Sequence, residues 1–292
     1  MNWLVIDEII KNALKEDIWD DGITSSSILS KDQQSTVKLI CKENGIIAGL
    51  DVFKRVFHLL GEVEVILYSK DGNAVKNGEV LGELKGSTLN ILKGERVALN
   101  LLQHLSGIAT ITNIYVKELS GTCCKLLDTR KTTPGLRILE KYAVKIGGGC
   151  NHRFNLSDGV LLKDNHVAAA GGVKNAIEKA RSSVSFVRKI EVEVETLDQV
   201  KEAIDAKADI IMLDNMDNET TKKAVDLING TALVEASGNM TLKRIRSVAE
   251  TGVDYISVGA LTHSVKALDI SMKDLKNLYI SLKKMAIGSS FF

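Results

Sequence analysis

The spacing of apolar positions along this 292-residue chain changes character near Gly121. Upstream it is mixed. Ile6, Ile9, Ile10 and Leu14 share one helix face, 35–41 alternates as a strand, Val52, Val56 and Leu59 mark a second helix, and 63–68 reads as a strand. Asp21-Gly22-Ile23-Thr24-Ser25 reads as a turn, and Asp71-Gly72, Asn77-Gly78 and Lys85-Gly86 punctuate short elements in a hairpin pattern. From 91 to 118 the period becomes helical, predicting one long helix with Gly107 as its point of interruption.

Downstream the rhythm is strand, loop, helix. Strands are expected at 124–128, 159–162, 208–213, 232–236 and 255–258, and at 188–195 by strict alternation, with helices at 197–207, 217–229 and 241–251. The last four strands begin about every 20 to 24 residues, a βα repeat whose short connections specify a parallel sheet. Six strands in roughly 150 residues fall short of the eight strands and roughly 250 residues of a complete barrel. The sheet is therefore open or the barrel incomplete. Polar residues recur at the C-terminal strand ends: Asp128, Lys163, Glu193 with Glu195, Asp214, Ser237 and Gly259. Barrels keep their chemistry at that face.

Composition narrows the function classes. The chain is 45% hydrophobic and 26% charged, with a net charge of +1 and 4% aromatics, so it lacks both the basic stripe and the stacking platforms of a nucleic-acid binder. No apolar run approaches the roughly 20 residues needed to span a bilayer. The acidic, amphipathic start MNWLVIDEIIKNALKED does not read as a signal peptide. Cys41, Cys123, Cys124 and Cys150 form no CxxC, which fits reduced thiols and a cytoplasmic location.

Positive charge is instead local. Between Asp128 and His166 lie Arg130, Lys131, Arg137, Lys141, Lys145, His152, Arg153 and Lys163, with a triple glycine at Gly147, Gly148 and Gly149. Guanidinium forks and lysine point charges in one stretch suit a small ligand with several negative charges. Glu191, Glu193 and Glu195 share one strand face, where they need solvent, cations or metal. Asp214 is either a helix cap or, with Glu193, a magnesium ligand of the kind that leaves room for phosphates. Ser237, Gly238 and Asn239 lead from strand to helix and either form a plain turn or present backbone N–H groups to a phosphate. SVGALTHS from Ser257, containing Gly259 and His263, repeats that arrangement one unit later, though His263 also reads as a cap or packed polar group. Lys163 is open to Schiff-base chemistry or anion binding; the neighbouring cations favour the second.

Several longer motifs go together: GERVALNLLQHLSGIAT from Gly94, DTRKTTPGLR from Asp128, EKYAVKIGGGCNHRFNLSDGVLLKDNH from Glu140, EVEV from Glu191, IIMLDN from Ile210, EASGN from Glu235 and GVDYISVGALTHS from Gly252. Together they resemble the decarboxylating quinolinate phosphoribosyltransferase family. The resemblance implies an α/β sandwich domain over 1–105, joined by a C-terminal helix at 270–292, beside an incomplete α/β barrel over 106–269. It implies homodimers, or hexamers built from dimers, with sites shared between subunits. It implies that quinolinate is held by Arg130, His152, Arg153 and Lys163 with Arg96 of a neighbouring subunit. Lys131 and Lys163 would meet the phosphoribosyl and pyrophosphate groups, and Glu193 and Asp214 the ribose and magnesium. Ser237, Gly238, Asn239, Gly259 and His263 would meet the terminal phosphate. Lys131, Lys163, Glu193 and Asp214 would carry the catalysis. Competing readings are a phosphoribosyltransferase for another pyridine or pyrrole carboxylate, a Schiff-base aldolase acting through Lys163, and a nucleic-acid binder.

Overall fold

The structure, a computed structural model, describes residues 1–19 and 22–278. By contact the chain divides into two compact units: 1–111 with 134–147 and 265–292, and 112–133 with 148–264.

In the first unit, α1 (Trp3–Asp17), α2 (Ile23–Ile28), β1 (Gln34–Cys41), β2 (Gly45–Ile46), α3 (Leu50–Leu60), β3 (Val63–Leu67), β4 (Ala74–Val75) and β5 (Val80–Ser87) precede the helix α4 (Thr88–Glu118). Ile6, Ile10 and Leu14 are the buried stripe of α1, as the spacing predicts, with Ile9 only half-buried. Asp71-Gly72 is a turn with a second task. The Asp71 carboxylate accepts the Gly49 and Leu50 backbone N–H groups at 2.8 and 3.0 Å, satisfying donors at the start of α3. Lys85-Gly86 is not a turn, because both residues lie inside β5. A Cβ at Gly86 would strike the Glu62 carbonyl, so glycine there permits a close strand approach. Nor is α4 interrupted at Gly107: the helix runs through it, and the missing side chain admits the Lys266 carbonyl against the helix.

The second unit carries β6 (Lys125–Leu127); α5 (Arg137–Ile146) belongs to the first unit. There follow β7 (Val160–Leu162), α6 (Asp164–Ala170), α7 (Val173–Ser183), β8 (Ile190–Val194), α8 (Leu197–Asp205), β9 (Ile210–Asp214), α9 (Asn218–Ile228), β10 (Leu233–Ser237), α10 (Leu242–Ala249), β11 (Tyr255–Ser257) and α11 (Ala260–His263). All six strands are parallel, in the order β6-β11-β10-β9-β8-β7. That is the incomplete parallel architecture the repeat length predicts. Their apolar faces pack on amphipathic helices, with Val200 and Ala203 of α8, Ala224 and Ile228 of α9, and Ile245 and Val248 of α10 all buried.

One expectation is overturned. Residues 270–277 are not helical: β12 (Ile270–Asn277) pairs antiparallel with β1, in a sheet ordered β12-β1-β5-β3. The polar-apolar alternation of Ile270, Ser271, Met272 and Lys273 suits a strand with one face inward. The remainder of the expected C-terminal helix lies outside the described residues, apart from Leu278.

Candidate active site

The polar residues predicted at strand ends do gather at one end of the parallel sheet. Lys163, Glu193, Asp214, Ser237 and Gly259 line two cavities that share Thr129, Lys131, Lys163, Ser237 and Ser257, whereas Asp128 and Glu195 line neither. The smaller, about 290 Å³, is closed by Arg130, His152, Arg153 and Glu235. The larger, about 520 Å³, is bounded by Glu193, Asp214, the 237–241 loop and the 257–260 loop with His263. Such volumes suit small polar ligands.

The small pocket is built by a short segment after the triple glycine. Asp128, wholly buried at the end of β6, accepts the His152 backbone N–H at 2.8 Å and the Asn151 side-chain amide at 2.6 Å. This clamps 150–153 against the strand, with a parallel bridge between Leu127 and Cys150. The Arg153 N–H donates to His152 Nδ1 at 2.7 Å, which leaves Nε2 to carry the ring hydrogen. Nε2 faces Glu191 at 3.1 Å and Glu235 at 3.6 Å. Arg153 donates to the Gly159 carbonyl at 3.0 Å, while its buried Nε has no protein partner. Burial first, then the charge of Arg130, lowers the pKa of this guanidinium, although Glu191 opposes the trend. Two half-buried cations held close in one pocket, one with an orphaned donor, are chemically suited to receive an anion.

Glu235 is 2% exposed. Burial, followed by repulsion from Glu191, pushes its carboxyl up to about 7, against the pull of His152 and Ser257. Ligand atoms of His152, Glu191 and Glu235 lie within 4.8 Å of one another. Such a donor set can hold a divalent ion, but Arg153 lining the same pocket opposes a further cation, so proton sharing is the arrangement that fits.

The larger cavity is made differently. Lys163 Nζ donates to Glu193 at 2.7 Å, and the Lys163 backbone N–H donates to His166 Nδ1 at 3.0 Å. Burial and the Glu193 charge raise the Asp214 pKa, partly offset by Lys163. Asp214 is not the cap of α9; Asp217 is, accepting the Thr220 N–H at 2.7 Å. Of the three strand carboxylates, Glu191 is answered by His152 and Glu193 by Lys163, while Glu195 is exposed. The 237–239 loop is held by its neighbours. Gly238 has φ +89°, and a Cβ there would collide with the Asn215 side chain. Asn239 and Asn215 are both left-handed, and Asn239 Nδ2 donates to Asn215 Oδ1 at 3.1 Å. Arg244 donates to the carbonyls of Gly238 and Met216, tying the loops after β9 and β10 together. Thr262 donates to the Lys131 carbonyl at 2.7 Å, and Gly259 leaves room for Lys131 and His263 beside it. His263 Nδ1 lies 2.6 Å from the Ser264 hydroxyl.

Arg96 is exposed on α4 in the first unit and lines neither cavity. Arg137, Lys141 and Lys145 ride on α5, also in the first unit, and the triple glycine is the exit from that helix rather than part of either cavity. The sequence reading missed Glu235 as a site residue, although the motif containing it was visible. It also missed Asn215, Thr262 and Arg244, whose only signal is adjacency to strand ends.

Fold and site define an α/β protein with a separate antiparallel-sheet unit and a cation-lined pocket on an incomplete parallel barrel. Residues 22–106 match the quinolinate phosphoribosyl transferase N-terminal domain and 108–273 the C-terminal domain. The chain belongs to the quinolinate phosphoribosyltransferase family. It is 48% identical to a probable nicotinate-nucleotide pyrophosphorylase [carboxylating] of Bacillus subtilis, over 93% of this chain and 94% of that one. It is 42% identical to the mitochondrial quinolinate phosphoribosyltransferase [decarboxylating] 2b of Nicotiana tabacum, over 91% and 81%. The solved structure of NadC from Streptococcus pyogenes superposes with a TM-score of 0.92 at 48% identity, over 95% of this chain and 99% of that one. No helix among the described residues is long and apolar enough to cross a membrane.

Proposed function

We propose that the chain joins quinolinate to 5-phosphoribosyl 1-pyrophosphate, giving nicotinate mononucleotide, pyrophosphate and carbon dioxide, as a step of NAD biosynthesis in the cytoplasm. The observation that carries this reading is the pairing of a small pocket walled by Arg130, Arg153 and Lys163 with a larger cleft of glycine loops and acids. A flat dicarboxylate fits the first and a phosphorylated sugar the second, with Lys163 and Lys131 lining both.

Arg130, Arg153 and Lys163 hold the two carboxylates, His152 supports them, and the ring nitrogen faces the sugar. Ser237, Gly238, Asn239, Gly259 and His263 receive the terminal phosphate, largely through backbone groups. Lys131 and Lys163 meet the pyrophosphate side. As that group departs, positive charge develops on the sugar, and Glu193 and Asp214 stabilise it. The same two residues fit magnesium. Asp214 is half-buried beside another carboxylate, which raises its pKa, and a cation relieves that repulsion. Magnesium, when bound there, neutralises charge on the leaving pyrophosphate.

Mixing protein, quinolinate, phosphoribosyl pyrophosphate and magnesium and separating the nucleotides tests the reading. Nicotinate mononucleotide is expected; a product only with another pyridine or pyrrole carboxylate would reassign the acceptor. Borohydride trapping of Lys163 with a carbonyl substrate would instead favour the aldolase class.

The working assembly is a homodimer, alone or within a hexamer, in which Arg96 of one subunit completes the quinolinate clamp of the other. Arg96→Ala and Lys163→Ala proteins, each inactive, should complement on mixing. Random exchange makes about half the dimers hybrids, each with one intact site, so roughly a quarter of wild-type activity should return. With exchange verified by mass-tagged subunits, no recovery would remove Arg96 from the partner's site.

A further inference from the structure

The two cations that grip the carboxylates leave one requirement of a decarboxylation unmet. When carbon dioxide leaves, the electron pair of the broken bond stays on the ring carbon, and a proton must arrive there. Arginine gives up no proton at ordinary pH. Lys163 is engaged with Glu193 at 2.7 Å.

We propose that Glu235 supplies this proton: it holds it at the floor of the anion pocket, beside His152, and delivers it to the ring carbon that has lost carbon dioxide. The proposal rests on the decarboxylating reaction proposed above.

Three observations carry it. First, Glu235 is buried mid-strand yet lines the anion pocket, and its Oε1 has no hydrogen-bond partner. Second, protons are scarce around it. Its charge and hydrogen-bond partners are Glu191 from β8, His152 from the 150–153 segment and Ser257 from β11; Tyr255 lies opposite it on β11, Met212 beside it on β9, and Arg130, Arg153 and Lys163 line the same pocket. His152 Nδ1 is occupied as an acceptor, so the imidazole offers the two carboxyls a single hydrogen, on Nε2. Crowding two carboxyls around one hydrogen at this depth favours the neutral form of the better-buried one. The carboxyl of Glu235 is accordingly pushed up to about 7. A neutral floor also spares the incoming dicarboxylate a repulsion. Third, a further cavity of about 750 Å³ opens beneath and touches the same three residues, His152, Arg153 and Glu235, and its far wall includes Lys125, Arg188 and Lys189.

The step balances. The bond from ring carbon to carboxylate breaks and carbon dioxide departs without that electron pair. The pair takes the proton of Glu235 and forms the C–H bond of the product. The Glu235 carboxylate left behind regains a proton from water in the lower cavity.

Full-length wild type, Glu235→Gln and Glu235→Asp are compared across pH, with pyrophosphate, carbon dioxide and nucleotide followed separately. Glu235→Gln should lower kcat for the decarboxylated product about 100-fold, the effect of losing a positioned acid. KM for quinolinate should move less than about 3-fold, and the dicarboxylated nucleotide should accumulate. Wild-type kcat should fall as pH rises through neutrality; the Gln variant should lose that limb, and Glu235→Asp should restore part of the rate. A folded Glu235→Gln enzyme with wild-type kcat and pH profile overturns the assignment while leaving the overall reaction intact. A wild type that releases pyrophosphate but no carbon dioxide overturns the decarboxylation and the role with it. If Glu235→Gln does not fold, infrared spectra of the wild type decide: the C=O band of a neutral carboxylic acid must titrate away near neutrality, and its absence below that pH refutes the proposal.

Discussion

The floor and the rim of the site are built on opposite principles. At the floor, ionisable side chains are crowded together: Glu191 and Glu235 are buried, Arg153 and His152 half-buried, all four line one pocket, and each answers another's charge. At the rim, the loops after β9 and β10 offer backbone groups in conformations that only glycine and asparagine adopt readily. On the proposed function, the floor would gain selectivity from desolvated charge, and a single lost partner there would be expensive. The rim would gain affinity from chain geometry, so side-chain deletions there should matter less than changes in backbone freedom.

The largest effect should come from the floor. Arg153→Ala removes a guanidinium whose buried Nε has no protein partner, and losing a charge-assisted contact in such a pocket costs about 2 to 4 kcal/mol. We expect kcat/KM for quinolinate to fall by about 30- to 1,000-fold, with KM for phosphoribosyl pyrophosphate little changed. Arg153→Lys should recover only part of the loss, because the fork is gone. Full recovery with lysine would mean that the pocket reads charge alone.

Stability against pH separates floor from rim next. The Glu235 carboxyl is neutral more readily in the folded chain than in the unfolded one, rising from 4.5 to about 7. The fold therefore carries no penalty from it below the lower value, and a growing one as pH rises to about 7. Above that the penalty levels off at about 3 kcal/mol. Glu235→Gln should raise Tm relative to wild type above neutrality and much less near pH 4.5. Equal Tm differences at both ends would mean that the substitution acts through packing. This gain in stability, set against a loss of turnover, would mark a group retained for chemistry.

What the sequence conveyed follows the same division. Five of the six strands were legible because strands buried on both faces read as apolar runs, with Lys163 and Asp214 standing out as polar ends, and the sixth, carrying Glu193, was legible by its strict alternation. Glu191 was legible as a problem, a carboxylate on an inward face, but its answer was not. His152 lies 39 residues away and reaches it only because Asp128 clamps the 150–153 segment to β6. Glu235 sits inside an apolar strand, and its neighbours come from β8 and β11 rather than from its own segment. The strand at 270–277 was read as helix because its partner, β1, lies more than 220 residues earlier and only the pairing reveals it. The 128–166 cluster of cations overstated the site, since three of its members ride on α5 in the other unit.

At the rim, Gly238→Ala should matter more than its single added carbon suggests. With φ at +89° and the Asn215 side chain in the way, the substitution strains the loop by about 1 to 3 kcal/mol. KM for phosphoribosyl pyrophosphate should rise about 5-fold or more, with quinolinate binding measured alone unchanged. An equal loss of binary quinolinate affinity would show that floor and rim are coupled.

The smallest effect is the sharpest test of the division. Asn239 holds φ +47°, and its exposed side chain donates to Asn215 at 3.1 Å. If the rim works through backbone geometry, Asn239→Gly keeps the left-handed turn and removes only that bond, a loss of about 0.5 to 1 kcal/mol. Asn239→Ala removes the same bond and adds a left-handed penalty of about 1 to 2 kcal/mol. The glycine variant should therefore keep KM for phosphoribosyl pyrophosphate within about 3-fold to 5-fold of wild type, and the alanine variant should be clearly worse. Equal losses in the two would assign the contact to the asparagine amide itself, making the rim a side-chain site like the floor.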